Sequence, residues 1–256
     1  MQIKGLDTLA RHVPELNSSS GRMKIGVTFF AIFGLTTFYF IITDQIPTWT
    51  LDSQIVVTAL GYLILSRVFR QKKAFIEKHK EQAFAVAFKQ FTVPSLAIFS
   101  ALIIHIAYMN GPKFTQPTLT TILTWLGWVC ILIGTPLFIR ALTILGADHA
   151  TMLYVYFPGG ELTHSSIYNI VRHPMYAGML RICIGLACLN RGIFALTFVI
   201  ILPILVFGWI RLIEEKELIE RIPNYIEYRK QVPAFFPYPK QIFRFFKFVL
   251  TGQSYA

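Results

Sequence analysis

The feature that most constrains this chain is a series of apolar runs, most of them close to the roughly 20 residues a helix needs to cross a bilayer. The runs lie at 23–43, 53–69, 91–109, 119–145, 175–190 and 192–213, separated by polar links. No charged side chain occurs from Leu119 to Ile139, nor from Gly192 to Ile210. Only 14% of the residues are charged, where a soluble domain carries roughly 25% because its outside must face water. An apolar backbone segment at that depth has to satisfy its own hydrogen bonds, which selects helices. The chain therefore reads as all-α, a polytopic transmembrane helical bundle of about six spans with a C-terminal interfacial helix. Cys130, Cys183 and Cys188 all lie inside apolar runs, which suits small buried hydrophobes and offers no disulfide framework.

Charge placement orients the bundle. With the N-terminus inside, 21 of the 24 Lys and Arg fall on inner segments, and only Lys113, Arg181 and Arg191 lie elsewhere. Both termini are therefore expected on the cytoplasmic face, of a bacterial inner membrane or of the endoplasmic reticulum. The net charge of +11 flanks the spans, as it does where anionic phospholipid headgroups face the chain, and forms no nucleic-acid patch. In the fourth run Pro136 and Arg140 are expected to bend the helix or bring it out of the hydrocarbon, while Arg181 and Gly185 interrupt the fifth. Segment 70–89 mixes charge with Phe75, Phe84 and Phe88 and should continue helices into the interface. Segment 214–231 reads as a polar amphipathic helix, and 233–250, alternating Pro, aromatics and Lys/Arg, as a tail on the membrane surface. No internal repeat is visible, so 1–256 reads as a single membrane domain.

Signatures of nucleotide, zinc-protease and serine-hydrolase chemistry are absent: there is no GxGxxG, P-loop lysine, HExxH or GxSxG. The six histidines lack metal-ligand spacing. His105, within the third run, is either a satisfied polar residue or a proton relay. Asp148-His149 are adjacent, and neighbours on a helix do not face each other. The informative region runs from Leu145 to Pro237. It holds LTHSSIYNIVRHPMYAG at 162–178, RLIEEKEL at 211–218 and NYIEYRKQVPAFFP at 224–237. Between the first two blocks the chain runs up one span and down another. That hairpin returns Arg172-His173-Pro174-Met175-Tyr176 and Arg211-Glu214-Glu215 to one membrane face. Pro174 restricts His173 to extended geometry beside a helix start. Carboxylates, aromatic faces and unpaired backbone groups at such a mouth suit a cationic, adenine-bearing ligand. Taken alone, Arg211 and Glu215 are equally an i,i+4 pair at a helix end.

At these residues the sequence resembles the isoprenylcysteine carboxyl methyltransferase and phospholipid methyltransferase superfamily of integral membrane enzymes. The RHPxYxG block (Arg172, His173, Pro174, Tyr176, Gly178), the downstream glutamate pair and the ending at Tyr225, Tyr228, Val232, Pro233 and Pro237 carry the likeness. It covers about 145–237, the methyltransferase-like cofactor-binding region, and leaves 1–110 without recognisable signal. Some sterol reductases share RHPxY but need more spans than 256 residues supply.

The resemblance implies S-adenosylmethionine bound without a Rossmann fold, leaving as S-adenosylhomocysteine. Leu162, Thr163, Tyr168, His173, Pro174, Met175 and Tyr176 would line its pocket, with Glu214 or Glu215 on its polar part. No metal is implied. The acceptor would be a lipid or lipidated substrate entering from the bilayer. If it is the carboxylate of a prenylated cysteine, Arg211 neutralises and aims it. If it is a phosphatidylethanolamine-type amine, Arg211 grips phosphate and His173 or Glu215 becomes the base. A non-enzymatic transport or assembly protein is the reading from another class. It calls for polar residues along a path in mid-membrane, and apart from His105 and Arg181 the interior reads as apolar.

Overall fold

The computed structural model describes residues 4–157 and 167–253. Leu162 and Thr163 therefore lie outside the described residues, as do Ser165 and Ser166. Among the described residues the chain is helical, with no strand beyond an isolated bridge between Lys113 and Gly192. Five helices are long and apolar enough to cross a membrane: α1 Ser19–Thr43, α2 Pro47–Arg70, α3 Lys72–Tyr108, α4 Pro117–Leu145 and α6 Ile193–Arg221. Between the last two lies α5, Pro174–Asn190, apolar but only 17 residues long. Two short helices follow, α7 Tyr225–Gln231 and α8 Ile242–Thr251. The protein is a polytopic helical bundle.

Several boundaries differ from the sequence reading, each for a local reason. The second helix is longer than its apolar run because Pro47 opens it: a proline in the first turn gives up an N–H that has no partner there. The third begins at Lys72, so segment 70–89 is indeed helical, broken once at Lys80 (φ 49). It widens into a π-turn at Phe88–Thr92, just before Pro94, whose ring and missing N–H disrupt a regular α ladder. The fourth runs as one helix through Pro136 to Leu145. The sixth continues eight residues past its apolar run, while the expected helix 214–231 is split at Ile222-Pro223-Asn224.

The fifth helix packs antiparallel against α4 at backbone distance. A Cβ on Gly178 would lie 2.7 Å from Phe138 N and 2.8 Å from Gly134 O; one on Gly185 would lie 2.8 Å from Gly127 O. Seven residues separate the partners on each helix, so both pairs sit on one seam, the close crossing that small residues permit in membranes. The motif glycine Gly178 is thus a helix-crossing residue. At 17 residues α5 is about 26 Å long. A buried non-helical segment precedes it, where Ile167, Ile170 and Val171 are at most 5% exposed. Such backbone at depth needs partners, and it has them: Arg172 N donates to Pro233 O at 2.8 Å and His173 N to Ala234 O at 3.0 Å.

The interior is more polar than the sequence suggested. Beyond His105, the side chains of Asp44, Thr50, Ser53, Gln54, Thr58, Ser95 and Asn190 are buried. Most of the polar network lies at the bundle end away from the RHP segment. There His105 Nδ1 meets Gln54 Oε1 at 2.7 Å, its Nε2 meets Asp44 Oδ2 at 3.1 Å, and its ring stacks on Phe40 at 4.0 Å. Asn190 donates to Ala107 O and Met109 O at the same end. His105 is thus the satisfied polar residue, fastening α1, α2 and α3 together.

Candidate functional site

At the opposite end the two halves of the α5–α6 hairpin meet as the spacing required. The sixth helix changes pitch at Ile210–Glu214, where a π-turn inserts an extra residue and ends on the first glutamate of the pair. Below that turn the two neighbours face different surroundings. Glu214 Oε2 accepts from Tyr176 OH at 2.6 Å, and Tyr176 OH in turn accepts from Trp209 Nε1 at 3.1 Å. Tyr62 of α2 stacks behind Trp209 at 5.3 Å, so the N-terminal helices buttress the site.

Glu215 is 2% exposed and enclosed by cations. Its Oε1 accepts from Arg172 Nη2 at 2.9 Å and Nε at 3.2 Å and lies 3.3 Å from His173 Nε2. Its Oε2 accepts from Arg211 Nη1 at 3.3 Å and sits 3.6 Å from Arg229 Nη1. Arg172 also donates to the carbonyls of Arg229 and Val232, tying α6 to the end of α7. A buried carboxylate needs this many charged donors to offset its desolvation. Glu215 is therefore a structural hub and does not face the cavity beside it.

That cavity has a volume of about 110 Å³. Tyr168, His173, Pro174, Met175, Tyr176 and Glu214 all line it. Arg211 does not. Its side chain is 47% exposed and paired with Glu215, outside the cavity. The cavity also has walls that the sequence reading left out: Tyr154, His149, Leu218, Arg221 and Ile222. Leu218 and Arg221 were legible in principle, since with Glu214 they repeat at i, i+4, i+7 on one helix face. His149 and Tyr154 arrive from a distant segment without a spacing signal.

The cavity is electrically graded. Glu214 supplies negative charge near its α5 wall, where His173 Nδ1 lies 3.8 Å from the other oxygen. Arg221 supplies positive charge opposite, its guanidinium 4.8 Å from the Tyr154 ring centre. Burial, with the Glu214 charge adding to it, pushes the Tyr154 phenol well above its usual range. Tyr168, Tyr225 and Tyr228 are likewise raised, chiefly by burial. These phenols stay protonated as donors and apolar faces. Burial lowers His149 below the ordinary 6.5 against the pull of Asp148, leaving a neutral ring. His149 Nδ1 and Asp148 Oδ1 approach to 3.5 Å despite their adjacency, and among the described residues neither has a closer hydrogen-bond partner. Arg221 Nε is also buried without a partner among the described residues. Buried donors and acceptors left open in a cavity wall are what a polar ligand satisfies. Among the described residues no group of three or more His, Cys, Asp or Glu is arranged to hold a metal ion.

This is a pocket with one acidic end, one basic end and aromatic sides, set where two membrane helices meet. Residues 122–222 match the family model described as phospholipid methyltransferase. The match takes in α4, α5, α6 and the segment carrying RHPxYxG, and ends just before Tyr225. No curated protein and no solved structure matches the chain. The protein is thus an integral membrane protein whose residues 122–222 are similar to the phospholipid methyltransferase family, part of the isoprenylcysteine carboxyl and phospholipid methyltransferase superfamily.

Proposed function

We propose that the protein is an S-adenosylmethionine-dependent methyltransferase acting on a lipid-like acceptor, with the carboxylate of a prenylated cysteine or a similar group receiving the methyl. The observation that carries this reading is the graded cavity beside the RHP segment. Its acidic and basic ends match a ligand bearing both ammonium and carboxylate, and its aromatic sides match a nucleoside. Glu214, held in place by Tyr176, would take the cationic end, and Arg221 with its open Nε the carboxylate end. Tyr168, Met175 and Tyr228 would flank the adenine ring. When bound, the cofactor supplies a methyl group on an electrophilic sulfonium, and displacement releases S-adenosylhomocysteine. The chain's contribution is alignment and exclusion of water, which together lower such a barrier without covalent help.

The choice of acceptor rests on the state of Glu215. Both of its oxygens are engaged by arginines, so it is poorly placed to take a proton from an ammonium. A carboxylate acceptor requires no base. Arg211, half exposed outside the cavity, would draw it in and orient it, and His173 would hold both glutamates in register. The second reading, a phosphatidylethanolamine-type amine, is favoured by the description of the matching family. In that case His173 would be the base. In both readings the termini would lie on the cytoplasmic side, as the placement of Lys and Arg favours.

The deciding experiment feeds the purified protein methyl-labelled cofactor with a prenylcysteine and, separately, with phosphatidylethanolamine. Label in the prenylcysteine alone supports the first reading, and label in the phospholipid alone replaces it with the second. Binding of S-adenosylhomocysteine by calorimetry tests the class itself. Absence of heat would favour a non-enzymatic transport or assembly role.

A further inference from the structure

The C-terminal helix α8 presents three faces in strict order. At 100° per residue, Phe248, Phe245 and Val249 form one side, buried to 2% exposure or less against Leu137, Ile170 and Ala177. Next come Ile242, Phe246, Leu250 and Phe243, all exposed, Phe243 at 78% and Leu250 at 75%. The remaining stripe, about 60° wide, carries Arg244, Lys247 and Thr251, with Lys240 in the 3₁₀ turn just before the helix. From Arg229 to the end the chain has five Lys and Arg and no carboxylate side chain. An exposed apolar stripe beside a cationic one is the pattern of a helix lying in a bilayer interface.

The helix is also fixed to the frame at both ends. Arg140 of α4 donates to the carbonyls of Phe248, Val249 and Leu250, capping its C-terminus with a cation. Gln241 Nε2 donates to Asn169 O at 3.3 Å at its start. Between α8 and α7 runs the strap whose Pro233 and Ala234 carbonyls receive Arg172 N and His173 N. The Arg181 guanidinium lies between the Phe236 and Phe245 rings, 5.0 and 5.5 Å from their centres, joining strap, helix and α5.

We propose that α8 is a docking face for an anionic lipid surface, and that its seating there steadies the 232–236 strap that holds the backbone of Arg172 and His173. The occupant follows from charge complementarity: cations and apolar residues side by side, without an acidic residue, match anionic headgroups with acyl chains beneath them. The proposal is independent of which acceptor is methylated.

The test reconstitutes the full chain into vesicles of phosphatidylcholine alone, and into vesicles in which roughly a third of the lipid is phosphatidylglycerol. Amide hydrogen exchange is then read over 242–251 and at Arg172 and His173. Anionic lipid should raise protection over 242–251 by about tenfold and slow exchange at Arg172 and His173 in step. Lys240→Gln with Arg244→Gln, two exposed substitutions, should return both readings to their neutral-lipid values, as should high salt. Equal protection in the two vesicle types overturns the proposal, and so does a rise that survives the double substitution. Protection that follows protein density instead of lipid charge assigns the face to a second copy of the chain and overturns it as well.

Discussion

Replacing Glu215 by glutamine keeps the side chain's shape and exchanges one carboxylate oxygen for an amide NH₂. In this site the exchange is severe, because the carboxylate is 2% exposed and both oxygens face donors: Arg172 and His173 on one, Arg211 and Arg229 on the other. Whichever way the amide turns, an NH₂ confronts an arginine, and Arg172, itself 9% exposed, loses its counter-charge. Breaking a buried ion pair on one side costs about 3–5 kcal/mol. At roughly 2–4 °C per kcal/mol for a chain of this size, the unfolding midpoint should fall by about 6–20 °C. Glu214→Gln one residue earlier should behave differently. That side chain faces the cavity, is 14% exposed, and keeps a carbonyl oxygen able to accept from Tyr176. Its stability should change by less than about 1 kcal/mol, while affinity for S-adenosylhomocysteine drops about tenfold or more with the loss of one charge-assisted contact. Thermal unfolding in detergent and calorimetric titration separate the two effects. Equal destabilisation by both variants, or a Glu215→Gln protein as stable as the parent, would refute the division of labour between hub and ligand carboxylate.

Other perturbations read neighbouring parts of the argument. Tyr176→Phe removes the donor to Glu214 and leaves Trp209 Nε1 without its acceptor, so cofactor affinity should fall about 5–10-fold, measured by the same titration. Arg211→Ala should abolish methyl transfer with cofactor affinity kept within about twofold, since Arg211 lies outside the cavity and its ion pair with Glu215 is half exposed; an unchanged transfer rate would remove it from the acceptor side. Gly178→Leu drives a side chain into the Phe138 and Gly134 backbone and should abolish a folded detergent-stable peak in size exclusion, where Gly26→Leu, with open space around it, leaves the profile unchanged. His149 has a lowered pKa in the folded state, so below its ordinary 6.5 the unfolded chain binds a proton that the folded chain refuses. Stability should therefore decline as pH falls below about 6.5 toward the folded-state value, and His149→Gln should flatten that decline in melts taken between pH 5 and 8.

The elements legible in the sequence share one property: they are set by the chain's own periodicity. Uninterrupted apolar runs fixed the helices, and the length of a hairpin placed Tyr176 opposite Glu214, which the 2.6 Å bond between them bears out. What was missed depends on partners that arrive from elsewhere. Buried polar residues such as Gln54 and Asn190 sit in stretches apolar enough to average out, and the facing carbonyls of Leu102, Ala107 and Met109, with His105 for Gln54, explain them. His149 and Tyr154 reach the cavity through the fold of a separate segment. The roles of the two glutamates could not be read either, because adjacent helix residues diverge by about 100° and spacing does not say which turns inward.

Arg172 answers that question, and does so from the motif itself. A guanidinium preceding His-Pro is obliged to find acceptors, because Pro174 holds the backbone extended and the segment is buried. It takes one from Glu215 and two from the carbonyls that end α7. The arginine of RHP thereby claims one glutamate for structure, and the remaining one is left facing the cavity with the tyrosine that follows two residues after proline. Read this way, RHPxYxG is a statement about four different contacts. Arg172 locks α6 and α7, Pro174 starts α5, Tyr176 aims Glu214, and Gly178 lets α4 pass close enough for the seam to hold. A substitution at Arg172 should therefore mimic Glu215→Gln in stability, and one at Tyr176 should mimic Glu214→Gln in affinity. That pairing ties the motif's chemistry to its architecture and would fail if the two carboxylates were interchangeable.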